Sequence, residues 1–192
     1  MNGPGTASRR GAPQVRPGGE PGSTASRGEP ENAAGALSRE AIELLVARRE
    51  TVAVAESLTG GMLAAALTAI PGASAAFRGG VVAYATDLKA ALLDVAAGLL
   101  DRHGAVHPAV AAAMAEGARR RLGAGVGAAT TGVAGPDPAD GQPVGTVHIA
   151  VSTGRGTTVR SLTLSGDRSQ IRATTVERSL GLLITVLREE NI

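Results

Sequence analysis

Three short, continuously apolar runs, residues 51–55, 79–84 and 126–131, set the limits on what this chain can fold into. Each is too short for a helix of useful length. Each is too apolar to leave one face in water, so each reads as a strand covered by helices on both sides. Helix-patterned segments of Ala, Leu, Met and Val lie before, between and after them. Strands alternating with helices in this way predict an α/β fold, here a three-layer α/β/α single domain. Two further segments, 145–152 and 157–164, alternate in polarity around Thr153-Gly154-Arg155-Gly156, which predicts a hairpin and makes the sheet mixed. A last helix opens at Asp167 and Gln170, three residues apart as in a capping box. Ile171, Val176, Leu180, Leu183 and Leu187 mark its buried side, and Gly181 within it predicts close approach to a neighbour.

The material of the core follows from composition. One Phe, one Tyr and no Trp leave Ala, Val, Leu and Ile to fill it, so helices and sheet must pack closely. A chain of 192 residues with 43% hydrophobic content supports one such core. Residues 1–36 are Gly-, Pro-, Ser-, Arg- and Glu-rich and predict a disordered tail; residues 37–192 carry the domain. Ser38 is the expected cap of the first helix, with Arg48 and Arg49 closing it. Thr86 or Asp87 is expected to cap a helix with Lys89 in its first turn. Residues 96–104 read as a connector, and His107-Pro108 as a helix start.

Several functions are excluded or disfavoured at this level. Without cysteine there is no disulfide and no thiolate metal site, which is compatible with a reducing cytoplasm. The net charge is +2, with no basic stripe and no aromatic platform, so no nucleic-acid partner is expected. No apolar run reaches the ~18 residues of a membrane span, and without an apolar stretch near residue 1 no secretory signal is expected. Neither a metal nor a cofactor is expected, because no His, Asp and Glu stand at ligand spacing.

The chemistry concentrates around two stretches. Of 19 basic residues 18 are arginine; the one lysine, Lys89, stands five residues after the one tyrosine, Tyr84. A guanidinium keeps its proton, whereas an ammonium loses one when desolvated. A lysine in an arginine-writing chain therefore marks a place where a removable proton is useful. Upstream, Ala55-Glu56-Ser57-Leu58-Thr59-Gly60-Gly61 offers a hydroxyl at a strand-to-helix turn, with glycines that let main-chain N–H groups approach an anion. Ser57 is the candidate nucleophile, Lys89 its base, and Tyr84 either a proton relay or a support for Lys89. Neither His103, His107 nor His148 stands where a Ser–His pair is evident. Glu56 is placed to orient a donor or to pair with Lys89, while Asp137 and Asp140 read as solvated loop residues. Ser57, Tyr84, Lys89 and the 131–135 loop all fall at or just past strand C-termini, where open α/β sheets bind ligands.

In these stretches the sequence resembles the CinA C-terminal domain family, the nicotinamide-nucleotide amidases. The resemblance runs through Ala55-Glu56-Ser57-Leu58-Thr59-Gly60-Gly61, Pro71-Gly72-Ala73-Ser74, and Gly79-Gly80-Val81-Val82-Ala83-Tyr84 leading to Lys89. It continues through Thr131-Gly132-Val133-Ala134-Gly135-Pro136, Pro143-Val144-Gly145-Thr146-Val147 and Gly166-Asp167-Arg168. The chain departs from the family pattern at Leu58, where cysteine is usual, and at Ala85-Thr86, where Ser-Asn follows the tyrosine. Asp137-Pro138-Ala139-Asp140 replaces the usual glycine-rich run. The resemblance implies hydrolysis of the carboxamide of nicotinamide mononucleotide to nicotinic acid mononucleotide and ammonia. It implies Ser57 as nucleophile with Tyr84 and Lys89 assisting. Thr59, Gly60, Gly61, Thr131 and Gly132 are implied around the nucleotide, with Arg168 or Arg172 on its charged part. It also implies a homodimer. The rival expectation is a nucleotide-binding or regulatory module that uses the same crevice without turnover.

Overall fold

The computed structural model describes Met1 and residues 33–189. The chain divides into two units, Met1–Pro30 and Glu31–Ile192, and every element below belongs to the second. The predicted tail lies outside the described residues except for Met1 and residues 33–36. Those last four are helical, because the alanines before Leu37 are strong helix formers.

Helix α1 (Ala33–Ala47) leads to strand β1 (Val52–Glu56), helix α2 (Met62–Thr68) and strand β2 (Phe77–Val82). Helices α3 (Thr86–Leu93), α4 (Ala97–His103) and α5 (Pro108–Arg121) follow. Strands β3 (Val126–Gly132), β4 (Thr146–Ser152) and β5 (Thr157–Thr163) precede the long α6 (Arg168–Glu189). The five strands form one mixed sheet in the order β2-β1-β3-β4-β5. β1 runs parallel to both β2 and β3; β4 and β5 add antiparallel as the expected hairpin. One core, on the α1, α2 and α6 side, holds Ile42, Leu63, Ile149 and Leu183; the other, under α3, α4 and α5, holds Leu93, Val110 and Met114. This is the α/β/α layering, with α5 lying across the middle strands. Its approach is close, as an aromatic-poor core requires: a Cβ on Gly127 of β3 would collide with the Ala115 carbonyl of α5.

Several local expectations need correction. Ser38 is buried inside α1 rather than capping it. Arg48 and Arg49 form the turn after Ala47, with Arg49 in the left-handed region at φ 57. Residues 96–104 are not a plain connector, since α4 occupies most of them. α3 has Ala85 at its cap position with no side-chain bond, so neither Thr86 nor Asp87 caps it. β2 ends at Val82, two residues before the tyrosine, and it does have a wet face: as an edge strand it alternates half-buried and exposed positions. No neighbour presses on Gly181, since a Cβ added there would meet nothing within 4 Å outside its own helix turn. Its missing side chain instead helps open a cleft of about 610 Å³ between α6 and the β4–β5 hairpin, lined among others by Leu37, Arg160, Leu162 and Glu177. The capping box at α6 is complete: Gln170 N–H donates to Asp167 Oδ1 at 2.9 Å and Asp167 N–H to Gln170 Oε1 at 2.8 Å. Among the described residues no helix is long and apolar enough to cross a membrane.

Candidate active site

Because β1, β2 and β3 are parallel, their C-terminal ends share one edge of the sheet. The chain leaving β1 is pinned there from both sides: Ser57 N–H donates to the Thr130 carbonyl at 3.0 Å, and Ala83 N–H to the Glu56 carbonyl at 2.9 Å. Ser57 thus starts a tight turn anchored on both neighbouring strands.

Glu56 builds that turn. Its carboxylate, 1% exposed, accepts N–H bonds from Gly61 (3.0 Å), Leu63 (3.0 Å) and Ala64 (2.8 Å). Three first-turn donors of α2 are therefore answered by one charge at the positive end of the helix. Of the two roles open to Glu56, the structure shows orientation of donors and no pairing with Lys89. Gly60 and Gly61 make the turn possible, at φ 57 and 96, where a side chain is strained. The Gly60 N–H donates to the Ser57 carbonyl at 3.1 Å, so neither glycine has an N–H free for a developing oxyanion. The free donors are one step earlier. Leu58 and Thr59 N–H have no acceptor among the described residues. Arg172 of α6 holds this segment from outside, donating through Nε to the Leu58 carbonyl and through Nη2 to the Thr59 carbonyl, both at 2.9 Å. The Thr59 hydroxyl is buried against Thr130 at 2.8 Å.

Lys89 reaches Ser57 from the other side. It is 0% exposed, and Nζ donates to Ser57 Oγ at 3.2 Å, to the Ala83 carbonyl at 2.8 Å and to the Tyr84 carbonyl at 3.3 Å. Two main-chain carbonyls thus position the amine, with no contribution from the Ala85-Thr86 side chains. Burial brings its pKa down from 10.5 to about 8, against an upward pull from the Asp140 and Asp87 carboxylates. Tyr84 is 56% exposed, and its hydroxyl accepts from Arg168 Nη2 at 2.9 Å. Arg168 also donates through Nη1 to the Gly135 carbonyl at 2.6 Å.

These groups line one pocket of about 250 Å³. Of the residues singled out from sequence, Ser57, Tyr84, Lys89, Thr131, Gly132 and Arg168 line it; Thr59, Gly60, Gly61 and Arg172 do not. The Thr131 hydroxyl is turned to the Ala105 carbonyl at 2.7 Å. The pocket also takes in Ala105, Val106, Asp137 and Asp140, which sequence reasoning left out. Asp140 is no free loop carboxylate: Oδ2 accepts from Ala105 N–H at 2.6 Å. Its partner lies 35 residues away, and no periodicity or motif marks the pair. The histidines stand apart from Ser57. His103 and His107 stack at 4.2 Å, and His148 Nδ1 bonds Ser161 Oγ at 2.9 Å.

The family model of the CinA C-terminal domain matches residues 34–187. The chain belongs to the CinA family. A CinA-like protein of Frankia casuarinae is 57% identical over 144 residues, which is 75% of this chain and 33% of that protein. A putative competence-damage inducible protein of Desulforudis audaxviator is 47% identical over 149 residues, 77% of this chain and 36% of that one. The chain thus spans about a third of the length of the curated relatives it matches. Among solved CinA structures the correspondence is nearly end to end. A CinA superfamily protein of Klebsiella pneumoniae superposes with TM-score 0.79 at 32% identity, covering 81% of this chain and 98% of the other. The competence/damage inducible protein CihA of Agrobacterium tumefaciens gives 0.78 at 36% identity, covering 82% and 96%.

Proposed function

We propose that this CinA domain is a metal-independent serine amidohydrolase that converts nicotinamide mononucleotide to nicotinic acid mononucleotide and ammonia. The observation that carries the reading is the 3.2 Å contact between the hydroxyl of Ser57 and the fully buried amine of Lys89. With a pKa of about 8, roughly a tenth of Lys89 is neutral at pH 7, enough for a general base.

In this reading neutral Lys89 accepts the Ser57 proton as Oγ bonds to the amide carbon. The oxygen that gains charge faces the Leu58 N–H, the group next to the nucleophile; a donor so placed is worth ~3–4 kcal/mol of barrier. The C–N bond then breaks, the Lys89 ammonium returns its proton to the departing nitrogen, and ammonia leaves. Water adds to the acyl ester, giving its proton to Lys89, and the carboxylate product departs as Ser57 regains its hydrogen. Tyr84 contributes its carbonyl to Lys89 and its hydroxyl to Arg168, so it frames both ends of the pocket instead of relaying a proton. Arg168, at the rim with donors beyond those it already uses, suits the phosphate.

The test is ammonia release from nicotinamide mononucleotide. Ser57→Ala is expected to lower it by ~10³-fold or more while keeping nucleotide binding. Lys89→Arg is expected to be equally inactive, since it keeps the charge and cannot give up the proton. Turnover by either variant would remove the reading. Binding by the unsubstituted protein with no ammonia released would leave a nucleotide-binding module.

A further inference from the structure

The wall opposite the nucleophile turn is a small hairpin. Ala139 and Gln142 exchange two main-chain bonds, Gln142 N–H to the Ala139 carbonyl at 2.8 Å and Ala139 N–H to the Gln142 carbonyl at 3.2 Å. Asp140 and Gly141 form its tip with φ 52 and 70, a tight two-residue turn with both central residues left-handed. From there the Asp140 carboxylate latches onto Ala105 N–H, and it fits because residue 104 is glycine: a Cβ there would lie 2.9 Å from both Cβ and Cγ of Asp140. Asp137 lies on the same side, and Arg168 lines the pocket with them.

A latch alone does not need a charge, since an asparagine oxygen accepts the same bond. The carboxylate also acts against the proposed base, because it favours the protonated form of Lys89. Its presence is explained if the ligand brings a compensating positive charge. While it is protonated, Lys89 itself answers one of the pocket's carboxylates; in the neutral form, which predominates above pH 8, the charged side chains lining the pocket are Asp137, Asp140 and Arg168. Arg168 matches an anion at the rim; the two carboxylates match a cation further along the wall. Resting on the amidase reading above, we propose that Asp140 makes the pocket selective for a carboxamide borne on a cationic, quaternised pyridinium ring over the same carboxamide on a neutral ring.

Nicotinamide mononucleotide and its reduced dihydropyridine form share ribose, phosphate and carboxamide and differ in ring charge. Dissociation constants of both are measured by calorimetry at pH 9, where most of Lys89 is neutral, in the Ser57→Ala protein, with and without Asp140→Asn. Asn keeps an acceptor for Ala105 N–H and removes the charge. The preference for the oxidised form is expected to fall about 3- to 10-fold in the double variant, as loss of one partly screened charge pair implies. It is also expected to fall in the Ser57→Ala protein as salt is raised, a measurement that does not depend on Asp140→Asn folding. A preference unmoved by the substitution or by salt overturns the proposal. Binding of neither form overturns it together with the amidase reading. Selective binding of the oxidised form without ammonia release by the unsubstituted protein overturns the amidase reading alone, and the ratio still decides Asp140.

Discussion

The two walls of the pocket solve the same problem, holding polar groups in place, by opposite means. The turn after β1 is closed in on itself: Glu56 answers three N–H groups, Arg172 covers two carbonyls, and the Thr59 hydroxyl is buried on Thr130. The 133–143 loop is largely exposed and is fastened to Ala105 by Asp140. A buried carboxylate with three partners fixes geometry for chemistry. An exposed one with one partner supplies charge and can be exchanged at small cost to the fold. The pattern that carries the resemblance is kept in the first wall apart from Leu58; in the second it is kept at Val133-Ala134-Gly135-Pro136 and at Pro143, and departs at Asp137-Pro138-Ala139-Asp140.

The contrast breaks most visibly at Glu56. Glu56→Ala would leave three N–H donors at the start of α2 without their acceptor, one of them on the buried Leu63 and two on half-buried residues. The expected loss is ~3 kcal/mol or more of unfolding free energy, read as a lower denaturant midpoint with unchanged slope. A loss below ~1 kcal/mol would mean that water replaces the carboxylate and that this wall is as open as the other.

Lys89 sharpens the comparison because it belongs to the rigid side yet weakens it. Its folded pKa, about 8, is below the unfolded value of 10.5, so the unfolded chain binds the extra proton between those limits. Stability therefore rises with pH from about 8 to 10.5, and the full penalty of burying the ammonium is present below pH 8. Lys89→Met is expected to raise stability by ~1–3 kcal/mol at pH 7, with the gain shrinking toward pH 10.5, while abolishing ammonia release. In the unsubstituted protein kcat/KM should climb with pH and level off near 8 if neutral Lys89 is the base, as proposed. A profile flat from pH 6 to 9 would separate Lys89 from proton transfer.

How far the sequence discloses these walls depends on the range of the interactions. Strands with buried faces, the capping box at Asp167 and Gln170, and the pairing of Ser57 with Lys89 follow from short patterns and from a lone lysine among arginines. The burial of Glu56 beneath α2 is compressed into eight residues, yet alternation and composition are silent on which way its carboxylate turns. Arg172 and Asp140 act over 114 and 35 residues, and nothing local marks either. Gly181 shows the reverse error. Glycine in a helix has two readings, close contact or an opened surface, and only the neighbours distinguish them.

Two arginines of α6, Arg168 and Arg172, carry the comparison to a smaller scale. Arg168 faces the pocket and Arg172 faces the back of the turn that carries the Leu58 N–H. A lysine at 172 keeps the charge and reaches one carbonyl well, not two. Arg172→Lys is expected to lower kcat about tenfold with KM within about twofold, as for a donor held slightly out of place. Arg168→Lys is expected to act mainly on KM. Equal effects on KM from both would return Arg172 to the substrate and end the distinction.

The smallest expected effect is that of Asp140→Ala on stability, and it closes the comparison with Glu56. Both substitutions remove a carboxylate that accepts main-chain N–H bonds near Ser57. In Asp140 the bond is single and the residue is exposed, and the buried Ala105 lines the pocket, so water entering there is expected to take over its N–H once the side chain is gone. A net hydrogen bond in that setting contributes ~0.5–1 kcal/mol, several-fold less than the change at Glu56. Losing the negative charge also lowers the proton affinity of Lys89, so the plateau of kcat/KM should begin at lower pH. A midpoint shift as large as that of Glu56→Ala would show that the loop is a structural wall in its own right, with its charge incidental. A small shift together with the displaced plateau leaves the loop as the part of the site that tunes the chemistry without holding up the fold.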